Sequence, residues 1–418
     1  MKEVLVIKGG EKLKGTVSIS GAKNAALPLI AASLLSNDDI VLSNIPRIED
    51  VCIMLDLIRE VGANISKENN TVSITPQVTD TVIRSAKAQL IRASILLAGP
   101  LVAKIGSLKL PFPGGCNIGT RKIDLHLNGL KALGAKVKVG SDFIEIKADK
   151  KLRGAKIELP FPSVGATENI LMAATLAEGE TVIKNASIEP EVVDLQRFLS
   201  KLGAGIEGIG TRILTIEGVE ELTGTQYSIL PDRIETGTYI AAVAASGGRI
   251  ILKNCDINIM ENIVQKFTEI GVNIKHCNKG IEVSMNGKPL PTDIITQPYP
   301  GFPTDMHPIM TSVLSLAKGR STIKETIYDN RFQYVQELKK MGAKIEIKGD
   351  TLIINGIDKL KGTRVAATDI RGGAALVIAG LTAEGRTLIE NIKQIERGYE
   401  QIDEKLRSVG AEVKRLKL

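Results

Sequence analysis

Two periods of apolar residues alternate along this chain. Short runs such as Lys344-Ile345-Glu346-Ile347-Lys348 and Thr351-Leu352-Ile353-Ile354-Asn355 predict strands with one face toward water. Longer runs such as Ala25-Ala26-Leu27-Pro28-Leu29-Ile30-Ala31-Ala32-Ser33-Leu34-Leu35 are apolar or small nearly all round and predict buried helices. Pro28 is expected in the first turn of its helix, where a missing N–H costs little. A second kind of helix is amphipathic and ends in a fixed phrase, apolar-Gly-small-x-apolar. The phrase occurs at Val61-Gly62-Ala63, Leu133-Gly134-Ala135, Leu202-Gly203-Ala204, Ile270-Gly271-Val272, Met341-Gly342-Ala343 and Val409-Gly410-Ala411. Its glycines are 72, 69, 68, 71 and 68 residues apart. Each suits the left-handed position that closes a helix C-terminus.

Six units of this period fill the chain. Each reads as two strands, a Leu-x-Gly turn such as Leu222-Thr223-Gly224 or Leu360-Lys361-Gly362, a strand, a buried helix, a strand and the amphipathic helix. The implied class is α/β, with a helix inside and a sheet outside every unit. The sixth unit breaks off after its first strand, and the missing strand and turn stand at the other end of the sequence, in Val4–Ile7 and Leu13-Lys14-Gly15. The expected division is therefore residues 1–22 plus 230–418 in domain I and residues 23–229 in domain II. Two crossings between the domains predict a hinge with a ligand cleft.

Composition narrows the function. Of 418 residues, 43% are hydrophobic and 24% charged, ordinary values for a folded protein of more than one domain. No apolar run approaches the roughly 20 residues of a membrane helix, and the first residues lack a signal peptide's apolar core, so a cytoplasmic protein is expected. Cys52, Cys116, Cys255 and Cys277 form no Cys-x-x-Cys pair, and His126, His276 and His307 stand apart. That spacing predicts no metal site and no structural zinc, and a disulfide scaffold is not expected at this size and location. Cys52, Cys255 and Cys277 read as inert packing residues. The net charge of +7 fits a lysine-rich surface or a cleft that gathers anions. With aromatics at 3% and no Trp, a stacking platform for nucleic acid is not expected.

Polar residues collect just before the buried helices: Lys23-Asn24, Arg92, Ser163 to Thr167, Asp232-Arg233-Glu235, Thr304-Asp305 and Asp369 with Arg371. A second set, Arg47, Arg121, Arg331 and Arg397, lies before or early in the second helices. Any one of them also fits plain capping or an isolated ion pair, Asp305 as an N-cap in particular. Basic residues repeated at equivalent helix starts point to anion binding. The segment Leu110-Pro111-Phe112-Pro113-Gly114-Gly115-Cys116-Asn117-Ile118-Gly119-Thr120-Arg121 is longer than its counterpart Asn44–Asp50 and has a mobile lid's composition. A cysteine there, beside Arg121 and Lys122, is a candidate reactive thiol.

Five motifs, in order along the whole chain, resemble the enolpyruvyl transferases of cell-wall synthesis, the UDP-N-acetylglucosamine 1-carboxyvinyltransferase family. They are Ser20-Gly21-Ala22-Lys23-Asn24-Ala25-Ala26-Leu27-Pro28, Pro113-Gly114-Gly115-Cys116-Asn117-Ile118-Gly119-Thr120-Arg121, Pro231-Asp232-Arg233-Ile234-Glu235-Thr236-Gly237, Phe302-Pro303-Thr304-Asp305-Met306 and Glu396-Arg397-Gly398-Tyr399-Glu400. The resemblance implies a two-lobed inside-out α/β barrel built from six βαβαββ-type repeats, three per domain. It implies that Lys23, Asn24, Arg121 and Arg397 hold phosphoenolpyruvate. Arg92, Arg121, Lys122, Ile123, Asp124, Leu125, Ser163, Val164, Gly165, Asp305 and Ile327 would line the UDP-sugar site. Asp305 would be the base for the sugar 3-hydroxyl and Cys116 the general acid, open to phosphonate epoxides such as fosfomycin. Arg331, Asp369 and Arg371 would support them. Where some members carry a lysine just before the Ser-Val-Gly run, this chain has Phe161-Pro162, so that diphosphate contact has no counterpart here. No cofactor, no metal, no nucleic acid and no membrane are implied, and a monomer is expected. The alternatives are the shikimate-pathway enolpyruvyl transferase and a catalytically silent UDP-sugar sensor.

Overall fold

The computed structural model describes residues 3–115, 123–278 and 280–417. Two compact units emerge among the described residues, one containing residues 21–115 and 123–230 and the other joining residues 3–20 to those from 231 onward. Among the described residues each holds three sheets.

In the Gly21–Leu230 unit one sheet runs Thr225–Ser228, Ile40–Ser43, Thr71–Thr75, Asn64–Glu68, and a second runs Gly205–Glu207, Ile213–Glu217, Glu180–Lys184, Lys156–Glu158. The third has three strands, Ser107–Pro111, Phe143–Lys147 and Lys136–Val139, and its fourth position shrinks to the single bridge Val82–Lys109. The helices Lys23–Ala32, Ala98–Ile105 and Val164–Ala174 are enclosed by these sheets, and every residue from Ala25 to Ala32 is buried. Strand residues alternate exposed and buried, as in Glu180–Lys184, so the apolar side of each sheet closes over the helices. Each fully buried Leu or Ile in that core contributes about 1.5–3 kcal/mol.

The other unit repeats the plan. Its sheets are Leu13–Ser18 with Gly248–Lys253, Gly280–Met285 and Asn273–Cys277; Asp293–Ile295 with Arg320–Lys324, Thr351–Asn355 and Lys344–Lys348; and Arg364–Ala366 with Arg386–Glu390, Glu3–Lys8 and Glu412–Lys417. The first two strands of each sheet are parallel and the rest antiparallel. The buried helices Arg233–Ser246, His307–Leu314 and Ile370–Thr382 pack on one another.

All six phrase glycines, Gly62, Gly134, Gly203, Gly271, Gly342 and Gly410, have φ between 92° and 114°. The helix must turn there through a region that a Cβ disfavours. Two expectations fail. Pro28 lies inside the helix Lys23–Ala32, not in its first turn, so the Asn24 carbonyl receives no N–H from the residue four ahead. Cys52 is exposed, and Cys255 and Cys277 are only half buried, so none is a core packing residue. Among the described residues no helix is long and apolar enough to cross a membrane, and no group of His, Cys, Asp and Glu could hold a metal ion.

Candidate active site

In the Gly21–Leu230 unit, helix Lys23–Ala32 begins behind Ala22, which offers no side-chain cap. Lys23 brings its ammonium to this start and pairs with Asp50 Oδ2 at 2.9 Å, with the two side chains 12% and 3% exposed. Asp50 belongs to the first turn of helix Glu49–Glu60, where an anion meets the favourable end of the dipole. Asn24, half-buried, follows in the first turn of Lys23's helix.

Arg92 opens the short 3-10 turn Arg92–Leu97, and its Nη1 donates to Pro113 O at 3.1 Å. The described part of the Gly-rich segment, Pro113 to Gly115, is clamped here. A Cβ on Gly114 would fall 1.7 Å from Gln89 O, and one on Gly115, where φ is +102°, 3.0 Å from Arg92 N. Only glycine permits that approach. Cys116, Arg121 and Lys122 lie outside the described residues.

Ile123, Asp124 and Leu125 start the helix Asp124–Ala132, with Ile123 buried, Asp124 exposed and Leu125 between. Ser163 caps the helix Val164–Ala174 by accepting from Ala166 N at 3.4 Å. The fold brings these two sets together through a residue the sequence left isolated. His126 stands against Gly165, where an added Cβ would lie 2.8 Å from its Cε1. Asn169 Nδ2 donates to His126 Nδ1 at 3.1 Å and to Ile95 O at 2.9 Å. An amide nitrogen can only donate, so Nδ1 accepts and the ring proton sits on Nε2. Asn169 carried no sequence signal beyond being a polar residue within an apolar helix.

In the other unit, Asp305 sits in a 3-10 turn, Thr304–Met306, ahead of helix His307–Leu314. It is not an N-cap. Met306 holds that position, and no side chain caps this helix. The Asp305 carboxylate is instead gripped from both sides. Arg331 Nη2 donates to Oδ1 at 2.8 Å, and Arg371 reaches Oδ2 through Nε and Nη2, both at 3.1 Å. The arginine side chains are 2% and 4% exposed, the aspartate 27%. Burial works against both guanidinium charges. Asp305 with Asp369 around Arg331, and Tyr399 followed by Asp305 and Asp232 around Arg371, outweigh it and hold both protonated. Arg331 lies over the Tyr328 ring and Arg371 over that of Tyr399, at 5.4 and 5.2 Å.

Asp369 caps helix Ile370–Thr382 by accepting from Arg371 N and Gly372 N, both at 3.0 Å, which sets Arg371 in the first turn. Ile327 is half-buried, and its N–H donates to Glu325 Oε1 at 2.8 Å. Arg397 closes the short helix Lys393–Glu396, with Nη1 on Gln394 Oε1 at 3.1 Å. The arrangement offers a partly exposed carboxylate able to take a proton, backed by buried cations, and in the other unit a lysine at an uncapped helix start able to meet an anion.

The family of EPSP synthase (3-phosphoshikimate 1-carboxyvinyltransferase) matches residues 7–406. A UDP-N-acetylglucosamine 1-carboxyvinyltransferase of Caldanaerobacter subterraneus is 49% identical over 415 residues, covering 99% of this chain and 100% of that protein. One from Halothermothrix orenii is 48% identical, covering 99% of each. Among solved structures, the enolpyruvyl transferase NikO from Streptomyces tendae superposes with a TM-score of 0.91 at 22% identity, covering 100% of this chain and 99% of that one. EPSP synthase from Acinetobacter baumannii does so with a TM-score of 0.77 at 18% identity, covering 100% of both chains. At such identities the two structures speak for the fold alone.

Proposed function

The chain belongs to the EPSP synthase family, and within it to the UDP-N-acetylglucosamine 1-carboxyvinyltransferases; on that premise we propose that it transfers the enolpyruvyl group of phosphoenolpyruvate to the 3-hydroxyl of UDP-N-acetylglucosamine and releases phosphate. This is the first committed step of peptidoglycan synthesis. The observation that carries the reading is the match, along essentially the whole chain, to relatives bearing that name.

The chemistry assigns the residues. The sugar hydroxyl forms a bond to C2 of the enol and gives up its proton, while C3 gains one. Loss of that C3 proton then expels phosphate and restores the double bond. Asp305 takes the hydroxyl proton in this reading, and its support is a carboxylate both partly exposed and held in one orientation by two arginines. Cys116 supplies the proton at C3. Lys23, Asn24, Arg121 and Arg397 hold phosphoenolpyruvate and stabilise the departing phosphate with fixed charge. Arg92, Ile123 to Leu125, Ser163 to Gly165 and Ile327 line the UDP-sugar. We read the enzyme further as a cytoplasmic monomer that needs no metal or cofactor.

Phosphate release should require phosphoenolpyruvate and UDP-N-acetylglucosamine together. Release with shikimate 3-phosphate instead would make the chain a shikimate-pathway enzyme, and release with neither acceptor a silent binding protein. A second expected result concerns the thiol. Cys116→Ser should lose covalent labelling by fosfomycin, read by mass spectrometry of digested protein. Cys52 is the exposed competitor, whereas burial raises the Cys255 thiol and lowers its reactivity. Label on Cys52, Cys255 or Cys277 in the unsubstituted enzyme would remove Cys116 from its role.

A further inference from the structure

Four of the six units end the strand before their second helix on an asparagine in left-handed backbone. Asn44, Asn185, Asn254 and Asn391 have φ of 57°, 55°, 50° and 56°. The first three donate from Nδ2 to Ile229 O, Leu159 O and Ile19 O at 2.8, 2.8 and 2.7 Å, which fastens the neighbouring parallel strand. The second and fifth units depart from the rule, with Phe112 and Glu325 at that place. These are the units that carry Cys116 and Asp305.

In the fifth unit Thr326 takes over the fastening, its Oγ1 donating to Thr296 O at 2.5 Å. The side chain of Glu325 is thereby released to turn inward, where the residue is 3% exposed. It gathers five donors. Oε1 accepts from Thr296 Oγ1 at 2.9 Å, Ile327 N at 2.8 Å and Tyr328 N at 3.2 Å. Oε2 accepts from Thr304 Oγ1 at 2.7 Å and meets His307 Nδ1 at 2.9 Å. Burial alone would raise this carboxyl, but the hydrogen bonds from His307, Thr304 and Ile327 N–H prevail and hold it below its ordinary value. Burial keeps His307 neutral, so its Nδ1–H donates.

This carboxylate decides how Thr304 can act. A hydroxyl has one proton, and Thr304 gives it to Glu325, so its oxygen is left to accept from Arg331 Nη1 at 3.0 Å. The other arm of that guanidinium, Nη2, then falls on Asp305 Oδ1 at 2.8 Å. A linear relay results, Glu325 to Thr304 to Arg331 to Asp305. We propose that Glu325 is a positioning residue for the transfer reaction. Through the Thr304 hydroxyl it fixes Arg331 against the base, and through the N–H groups of Ile327 and Tyr328 it fixes the turn that meets the sugar. The inference rests on Asp305 being the base.

The test is a kinetic double-mutant cycle on the full-length enzyme with both substrates. Thr304→Val and Glu325→Gln should each lower kcat by about ten- to a hundred-fold, the cost of a misplaced catalytic group, with KM for phosphoenolpyruvate changed by less than about two-fold. Thr304→Ser, which restores the hydroxyl, should recover most of the loss. Because the residues act in series, the double variant should fall little below the worse single one. Losses that multiply, or a Thr304→Val enzyme with kcat close to wild type, would overturn the relay. If Glu325→Gln does not fold, the contrast between Thr304→Val and Thr304→Ser decides alone. A wild-type enzyme without phosphate release would instead fail the functional reading, and near-full turnover in Asp305→Asn would fail the assignment of the base.

Discussion

Asp305→Asn should reduce turnover on the order of a hundred-fold or more, the scale on which a general base contributes. The substitution nearly preserves shape and removes both the basicity and the negative charge. Its effect reaches beyond chemistry, because the carboxylate is not a helix cap that asparagine would replace equally well. Oδ1 and Oδ2 each accept from a guanidinium, and the amide would turn an –NH2 toward one of them. Arg331 and Arg371 would then share their buried charge with Asp305 no longer ionised. A loss of roughly 1–3 kcal/mol in stability is expected, less than for a fully buried pair because Asp305 is partly open to solvent. Turnover must therefore be measured on protein shown to be folded. UDP-N-acetylglucosamine affinity by calorimetry should weaken by no more than about ten-fold, since the amide oxygen can still accept from the sugar hydroxyl. Turnover near wild type in folded Asp305→Asn would remove the base from this site.

Lys405→Met should give the largest change in stability. Glu235 lies in the first turn of helix Arg233–Ser246 and is 2% exposed. Its Oε1 accepts from Lys405 Nζ at 2.6 Å and its Oε2 from Ser20 N at 2.7 Å. The same ammonium holds Ser20 Oγ at 2.7 Å, and Ser20 Oγ donates to Glu400 at 3.1 Å. Removing the lysine leaves a buried carboxylate without its cation, a change that costs about 3–5 kcal/mol in comparable pairs. The pH dependence identifies the cause. Burial already raises the Glu235 carboxyl above its ordinary value, with Lys405 opposing. Without Lys405 it rises further. A raised carboxyl contributes stability fully below its unfolded pKa and loses it as pH climbs through the folded one. The deficit of the variant in urea unfolding should accordingly be larger near about pH 7.5 than near about pH 5. Equal deficits at both would mean that lost packing of the lysine stem, not the stranded charge, explains the result.

Much of this architecture was readable from punctuation. Six glycines at one period mark six helix ends, because the left-handed turn that follows each helix tolerates little else. The recurring strand-ending asparagines, Asn44, Asn185, Asn254 and Asn391, are equally visible but carry little signal one by one, as a lone Asn after a strand is ordinary turn chemistry. Parallel partners were not readable at all. Leu13–Ser18 pairs with Gly248–Lys253, more than two hundred residues away, and alternation of apolar residues says which face is inward but not which strand lies beside it. The site shows the same divide. Residue types at helix starts pointed to Lys23, Asp305, Arg331 and Arg371. That Asp305 faces two arginines, and that Glu325 stands behind one of them, depends on a 3-10 turn and on a side chain turned inward, which no linear period encodes.

The strand Glu3–Lys8 has consequences for synthesis on the ribosome. It is a central strand, bonded on one side to Arg386–Glu390 and on the other to Glu412–Lys417 in a register that joins Glu3 to Lys417. Translation at about 5–20 residues per second separates the emergence of those partners by on the order of half a minute. The described strands between Gly21 and Leu230 all find their partners within that segment, which can close during that interval. Glu3–Lys8, with its unbroken apolar run Val4-Leu5-Val6-Ile7, must meanwhile wait unpaired, an apolar strand with both edges open. A nascent chain of this design presents that open strand to holding chaperones until Arg386–Glu390 and Glu412–Lys417 emerge. A bulky fusion placed directly before Glu3 should lower the yield of native enzyme more than one attached after Lys417.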